Sequence, residues 1–265
     1  MKQTRSFVTQ RREDILQTLR RAGRIGVGLL AEQMGVSPLT IRRDLDSLEK
    51  TGLIYRRYGE AVLADDAADR AASARHRAMS AIARAAAALV SDHELLFINT
   101  SETALMVIAH IAARDVTIVT NSSATHELSV PPSATVLVTG GEIRPPRGVL
   151  SGEFALANIR SVSATTCFVG CAGISTATGV TSCAQQEATV NSLMVERADH
   201  VVLLADASKI GAEAGFTYAA LDRIDLLITD ETASDADVRV LSASGVAEVR
   251  RVPIEPCPLS KTDRI

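Results

Sequence analysis

At 265 residues, 46% apolar, 22% charged and with a net charge of −3, the chain can fill two ordinary domains and is neither disordered nor fibrous in composition. Aromatics are only 3% with no Trp, which argues against a stacking platform for single-stranded nucleic acid. The charge is uneven: residues 1–60 hold 12 Lys/Arg against 7 Asp/Glu, and the remainder 16 against 24, so a basic head that can meet a polyanion precedes an acidic body. No apolar run reaches the roughly 20 residues of a membrane span. The start, Met1-Lys2-Gln3-Thr4-Arg5, is no signal-peptide core, so the reading is cytoplasmic with no membrane contact. Four cysteines (Cys167, Cys171, Cys183, Cys257) are too scattered for a disulfide framework. Cys167 and Cys171 read as buried thiols, and no metal or cofactor is expected.

In chain order, residues 11–21 form a helix with Ile15, Leu16 and Leu19 on one face, ended by Ala22-Gly23. A shorter helix follows over 27–34, with Leu29, Leu30 and Met34 for the core. Gly35-Val36 make a tight turn, Ser37 caps a third helix, and Pro38 takes its first position. That helix runs to Lys50 and stops before Gly52. Its residues Ile41, Leu45 and Leu48 make one buried stripe, leaving Ser37, Pro38, Thr40, Arg42 and Arg43 off it. A helix, a glycine turn and a capped helix make a helix-turn-helix, whose second helix reads base edges from its first turns. Arg bonds guanine bidentately, while hydroxyls and further arginines hold phosphate. Residues 53–59 read as a strand and turn, a wing with Arg56 and Arg57 on the phosphates. On generic features alone the head also fits a three-helix bundle whose charges merely face water.

The segment Val36-Ser37-Pro38-Leu39-Thr40-Ile41-Arg42-Arg43-Asp44-Leu45, followed by Leu48-Glu49-Lys50-Thr51-Gly52, resembles the signature of the DeoR family of bacterial regulators. One departure lies in the wing, where Gly59-Glu60-Ala61 stands for the family's Gly-Gly-Ala.

The acidic, small-residue stretch 64–74 reads as a linker without an apolar stripe. A helix then starts near Arg75 and buries Met79, Ile82, Ala83, Ala86 and Leu89. From residue 95, short apolar runs at 95–98, 116–119, 135–138, 167–169, 201–204 and 226–228 alternate with helical stretches such as 104–112 and 184–197. The expected fold is α/β: a winged helix-turn-helix (1–63), the linker, an open, mostly parallel sheet domain (75–252) and a tail (253–265).

Five strands run into polar loops: Asn99-Thr100-Ser101-Glu102-Thr103, Thr120-Asn121-Ser122-Ser123, Gly140-Gly141, Gly170-Cys171-Ala172-Gly173 and Asp206-Ala207-Ser208-Lys209. Turns favour such residues for backbone reasons. Their recurrence at the carboxyl ends of the strands, where open α/β sheets bind ligands, favours a pocket for a polar ligand. The body too resembles the DeoR-family sensor domain, similar in fold to ribose-5-phosphate isomerase. The matching elements are Val119-Thr120-Asn121-Ser122, Gly140-Gly141, residues 173–179, Glu187, residues 204–209 and Ile228-Thr229-Asp230.

The resemblance implies a repressor of sugar or carbon metabolism genes that binds double-stranded operator DNA as a homodimer or homotetramer, with a sugar-phosphate effector. Expected effector contacts are Thr100, Ser101, Thr103, Asn121, Ser122, Gly140, Gly141, Glu187 and Lys209. Two departures alter the effector. The family's Asp-x-Gly-Thr-Thr is replaced by Asn99-Thr100-Ser101-Glu102-Thr103, where Glu102 would repel a phosphate dianion. Asn191 stands where the family has Lys after Glu187-Ala188-Thr189-Val190. The expected effector is therefore an atypical or non-phosphorylated sugar derivative, or control has decayed. A rival reading is a sugar-phosphate isomerase using Glu187, Asp206 and Lys209, but Asn99 and Asn191 lack the acid-base and cationic groups it needs, so no enzyme is expected. A body that only oligomerises is a third reading.

Overall fold

The computed structural model describes residues 2–50, 53–57, 60–63, 67–127, 129–144 and 148–255. The turn residues Gly52 and Gly59, positions 64–66 of the expected linker and 256–265 of the tail lie outside them. The chain divides into two compact units, one running through Arg77 and the other Ala78–Ile254.

The first unit contains α1 (Lys2–Ala22), β1 (Arg24–Gly26), α2 (Val27–Met34), α3 (Pro38–Lys50), β2 (Ile54–Arg57), β3 (Glu60–Leu63) and the start of α4 (Ala67–Ala87). Helix α1 begins nine residues earlier than expected, because nothing from Lys2 to Gln10 breaks a helix. Gly35 ends α2 at φ 62°, a left-handed conformation that glycine adopts without strain. The three strands pair antiparallel in the order β1-β3-β2, so β1, unforeseen in the sequence, closes the wing onto the helices. Ile15, Leu19, Ile25, Leu30, Ile41, Leu45, Leu48, Ile54 and Ala61 form the core of the unit. Helix α4 starts at Ala67 rather than near Arg75: five alanines between 67 and 74 favour helix over linker.

The second unit continues α4 and adds β4 (Leu95–Ile98), α5 (Glu102–Ile108), β5 (Thr117–Thr120), β6 (Thr135–Val138), β7 (Glu142–Arg144), β8 (Val149–Ser151), α6 (Glu153–Arg160), β9 (Ala164–Gly170), β10 (Gly173–Ser175), β11 (Gly179–Ser182), α7 (Gln185–Glu196), β12 (Ala198–Leu204), β13 (Phe216–Ala219), β14 (Leu226–Asp230), α8 (Asp235–Ala243) and β15 (Glu248–Val252). Seven strands make one parallel sheet in the order β15-β14-β12-β9-β4-β5-β6.

Side chains alternate across that sheet with period two. Leu96, Ile98, Phe168, Val202 and Leu204 face α4 and α5, through Ile82, Ala86, Val107 and Ile108. Phe97, Cys167, Val169 and Leu203 face α6, α7 and α8, through Ile159, Met194 and Leu241. Phe97 and Phe168 are fully buried, one in each layer, each contributing about 2–3 kcal/mol by leaving water. Two small antiparallel additions, the β7–β8 hairpin and the β10-β11-β13 sheet, were not foreseen.

The strand order carries the functional meaning. From β4 the chain winds outward through β5 and β6. From β9 it winds the other way through β12, β14 and β15. The winding reverses between β4 and β9, the position in open α/β sheets at which ligands bind outside the carboxyl ends of the strands.

Candidate functional site

In the head, Ser37 caps α3. Its hydroxyl accepts from the Thr40 amide at 3.2 Å and lies 2.9 Å from the Thr40 hydroxyl. Ser37, Pro38 and Arg43 are exposed, while Thr40 and Arg42 are half-buried. Arg42 and Arg43 have no ion-pair partner among the described residues.

Other arginines of the head are engaged with acids. Arg11 and Arg12 both meet the buried Asp44, at 2.5 and 3.0 Å. Arg56, expected on phosphate, is instead drawn against α3: its backbone amide and guanidinium bond Glu49 at 2.8–3.1 Å, and the guanidinium bonds Asp46 at 2.5 Å. Arg56 thus ties β2 to α3. The side chain of Arg57 lies outside the described residues. His76, on α4, completes the cluster at 2.9 Å from Glu49. Burial pushes the Glu49 carboxyl up, but the His76 hydrogen bond and the Arg56 charge outweigh it and hold the group below its ordinary value of 4.5.

In the body, the residues at the reversal between β4 and β9 form one hydrogen-bonded group. Asn99, fully buried after β4, accepts from the Gly170 amide at 3.1 Å and donates to the Gly170 carbonyl at 3.1 Å. It also donates to Asn191 of α7 at 3.3 Å. Thr100 donates to Glu187 at 3.3 Å, and Ser182 of β11 donates to the other oxygen of Glu187 at 2.7 Å. Ser101 caps α5, its hydroxyl accepting from Ala104. A Cβ at position 170 would stand 1.9 Å from that hydroxyl, so only glycine fits between β9 and the cap. Tyr218 of β13 donates to the Gly170 carbonyl at 2.9 Å, and burial raises its phenol well above the ordinary value.

The expected effector residues fall into separate places. Thr100, Ser101 and Glu187 belong to the group at the reversal, and Thr103 is buried in the first turn of α5. Asn121, Ser122 and Gly141 instead support the β7–β8 hairpin, and Gly140 precedes Gly141 at φ 66° with open space where a Cβ would stand. Asn121 exchanges backbone and side-chain bonds with Leu150, and Ser122 bridges Val149. Gly141, at φ 112°, passes so close to the Ser151 carbonyl that a Cβ would stand 2.3 Å away. Lys209 is half-exposed in a short helical turn capped by Asp206. Its charge reaches Cys171, where burial nonetheless pushes the thiol up to about 12. Glu102, which would oppose a phosphate, is exposed at the first turn of α5, where the helix dipole favours an acid.

Sequence reasoning passed over Ser182 and Tyr218, because the short strands that carry them were not foreseen. The open groove on the other side of α7, lined by Leu156, Arg160, Gln185, Ser192, Glu196 and Phe216, includes none of the residues at the reversal.

Residues 11–67 match the model of the DeoR-like helix-turn-helix domain, and residues 75–231 that of the DeoR C terminal sensor domain. The chain belongs to the DeoR family. The HTH-type transcriptional repressor GlcR of Bacillus subtilis is 31% identical over 88% of this chain and 92% of its own length. The HTH-type transcriptional regulator GlpR of Haloferax volcanii is 32% identical over 91% and 96%. The glycerol-3-phosphate regulon repressor of Escherichia coli is 29% identical over 88% and 95%. Among solved structures, ribose-5-phosphate isomerase A from Neisseria gonorrhoeae is 16% identical over 50% of this chain and 53% of that one, with a TM-score of 0.37. As a DeoR-family member the chain is a DNA-binding transcriptional regulator with a sensor domain. No helix among its described residues is long and apolar enough to cross a membrane.

Proposed function

We propose that this DeoR-family chain is a cytoplasmic repressor of sugar or carbon metabolism genes, acting as a homodimer or homotetramer on double-stranded operator DNA and not as an enzyme. The observation that carries the DNA reading is the contrast among the arginines of the head. Arg11, Arg12 and Arg56 are held by Asp44, Glu49 and Asp46, whereas Arg42 and Arg43, near the capped start of α3, have no ion-pair partner among the described residues. In this reading Ser37, Pro38, Thr40, Arg42 and Arg43 enter the major groove, with Arg57 on a phosphate. A relative named as a glycerol-3-phosphate regulon repressor supports the class of target genes, and one named as a transcriptional repressor supports the sign of regulation.

The effector binds at the reversal between β4 and β9, and it is a polyhydroxylated molecule without the phosphate of the family's usual ligands. Asn99 and Asn191 make a buried pair of neutral amides there, in place of an acid and a cation. Amides and hydroxyls exchange hydrogen bonds with sugar hydroxyls, but they neither balance a dianion nor carry a proton between carbons. That second limit favours a sensor over an isomerase.

Two measurements test this reading. A gel shift on the gene's own promoter must show binding that falls steeply with salt. Calorimetric titration with a panel of sugars and their phosphates must find a non-phosphorylated ligand. Micromolar binding of an ordinary pentose or hexose phosphate overturns the effector assignment, and isomerase turnover overturns the regulator.

A further inference from the structure

The two edges of the seven-stranded sheet are built differently. Edge strand β15 reads Glu248-Val249-Arg250-Arg251-Val252. Arg250 pairs with Glu248 at 2.8 Å and Arg251 with Asp235 of α8 at 2.7 Å. Charges along an edge discourage a further strand from pairing there. Edge strand β6 reads Thr135-Val136-Leu137-Val138, with no charge, and Leu137 and Val138 are 47% and 45% exposed. Consecutive strand residues point to opposite faces, so this edge shows apolar surface on both sides.

The outer backbone groups of β6 also have no hydrogen-bond partner among the described residues. The amides of Thr135 and Thr139 donate inward, to Val116 at 2.9 Å and Thr120 at 3.0 Å. The alternate residues Val136 and Val138 therefore turn their N–H and C=O groups to the free side.

An occupant of this edge must bring a strand without charge. The chain's own other edge does not qualify: pairing β6 with β15 of a second copy would set Glu248, Arg250 and Arg251 against apolar residues and build an open filament. A second β6 does qualify. Antiparallel about a two-fold axis at Leu137, Val136 of each copy meets Val138 of the other and they exchange both N–H···O bonds. The two Leu137 residues then face each other as the close, non-hydrogen-bonded pair. This contact closes on itself, and its two-fold symmetry suits a symmetric operator.

We propose that β6 is the self-association edge of the sensor domain, where two chains join their sheets through antiparallel β6 strands centred on Leu137. The proposal rests on the reading of the protein as a symmetric oligomer on DNA, and it names the surface that makes it one. The full chain and its Val138→Lys variant should be compared by analytical ultracentrifugation, thermal melting and gel shift. In parallel, Leu137→Cys and Arg250→Cys should be oxidised mildly in a Cys183→Ser, Cys257→Ser background. The expected result is an oligomeric parent, a Val138→Lys variant that melts normally at half the parent's association state or lower, and a covalent dimer from Leu137→Cys alone. A Val138→Lys chain that keeps the parent's association state, together with no Leu137→Cys dimer, overturns β6 as the interface while leaving the regulator intact. A monomeric parent that still shifts DNA also overturns this proposal, whereas a parent that shifts no DNA overturns the regulator itself.

Discussion

The head and the body organise their buried polar groups in opposite ways. In the head, α3 turns Asp44 and Glu49 inward and gathers Arg11, Arg12, Arg56 and His76 around them. In the body, the group at the reversal between β4 and β9 is joined mainly through amides and hydroxyls, and at its centre the buried side chains of Asn99 and Asn191 meet as neutral amides. A domain that meets a polyanion cannot be described by its net charge alone, because internal acids decide which cations remain available. A pocket that recognises a neutral ligand gains from the reverse arrangement, since a buried unpaired charge would dominate it.

The contrast can be broken most forcefully inside the body. Asn99→Asp or Asn191→Lys alone places an unpaired charge at a position no more than 1% exposed, and each is expected to cost about 3–5 kcal/mol in urea unfolding. The double variant should recover at least about 1 kcal/mol of the summed loss, because the two side chains touch. Strict additivity would show that the pair does not act together.

The head offers the converse test. Asp44→Ala strands Arg11 and Arg12, whose side chains are 21% and 35% exposed and so partly rehydrate. The expected loss is about 2–3 kcal/mol, short of the full cost of breaking a buried pair. Unfolding within about 0.5 kcal/mol of the parent would make these contacts ornamental.

Acid should act through Glu49. Its folded value lies below 4.5, so the unfolded chain takes up the proton more readily. The stabilisation it gives is complete above pH 4.5 and lost as pH falls through the folded value. Glu49→Gln should therefore weaken the head more at pH 7 than at pH 4, and an equal loss at both would remove Glu49 from the acid response. The smallest effect on folding belongs to Arg43→Ala, expected within about 0.5 kcal/mol of the parent. It should nevertheless lower operator affinity, with a salt slope smaller by about 1 if it meets a phosphate and a relaxed base preference if it reads a guanine. Arg56→Ala, by contrast, should harm folding first.

Much of the fold could be read from local signals. The cap at Ser37, the proline after it and the Ile41-Leu45-Leu48 stripe specify α3 within a dozen residues, and β4 and β6 fall where the apolar runs place them. What stayed hidden depends on distant partners. Arg56 looks like any wing arginine until Glu49 and Asp46, seven and ten residues earlier, fold against it. Asn99 and Asn191 are 92 residues apart and read as two separate departures rather than one contact. Tyr218 and Ser182 sit on strands of four residues, too short for alternation to stand out.

With the effector at the reversal, as proposed, the backbone of Gly170 has a consequence for the heat of binding. Its amide and carbonyl are already engaged by Asn99, and the carbonyl by Tyr218 as well. A sugar hydroxyl entering here gains a hydrogen bond only where the protein surrenders one, so the net enthalpy per contact is small. Discrimination then arises from the molecule that fails to replace what it displaces. An analogue lacking one hydroxyl leaves a buried polar group unpaired and should lose far more affinity than a single bond contributes.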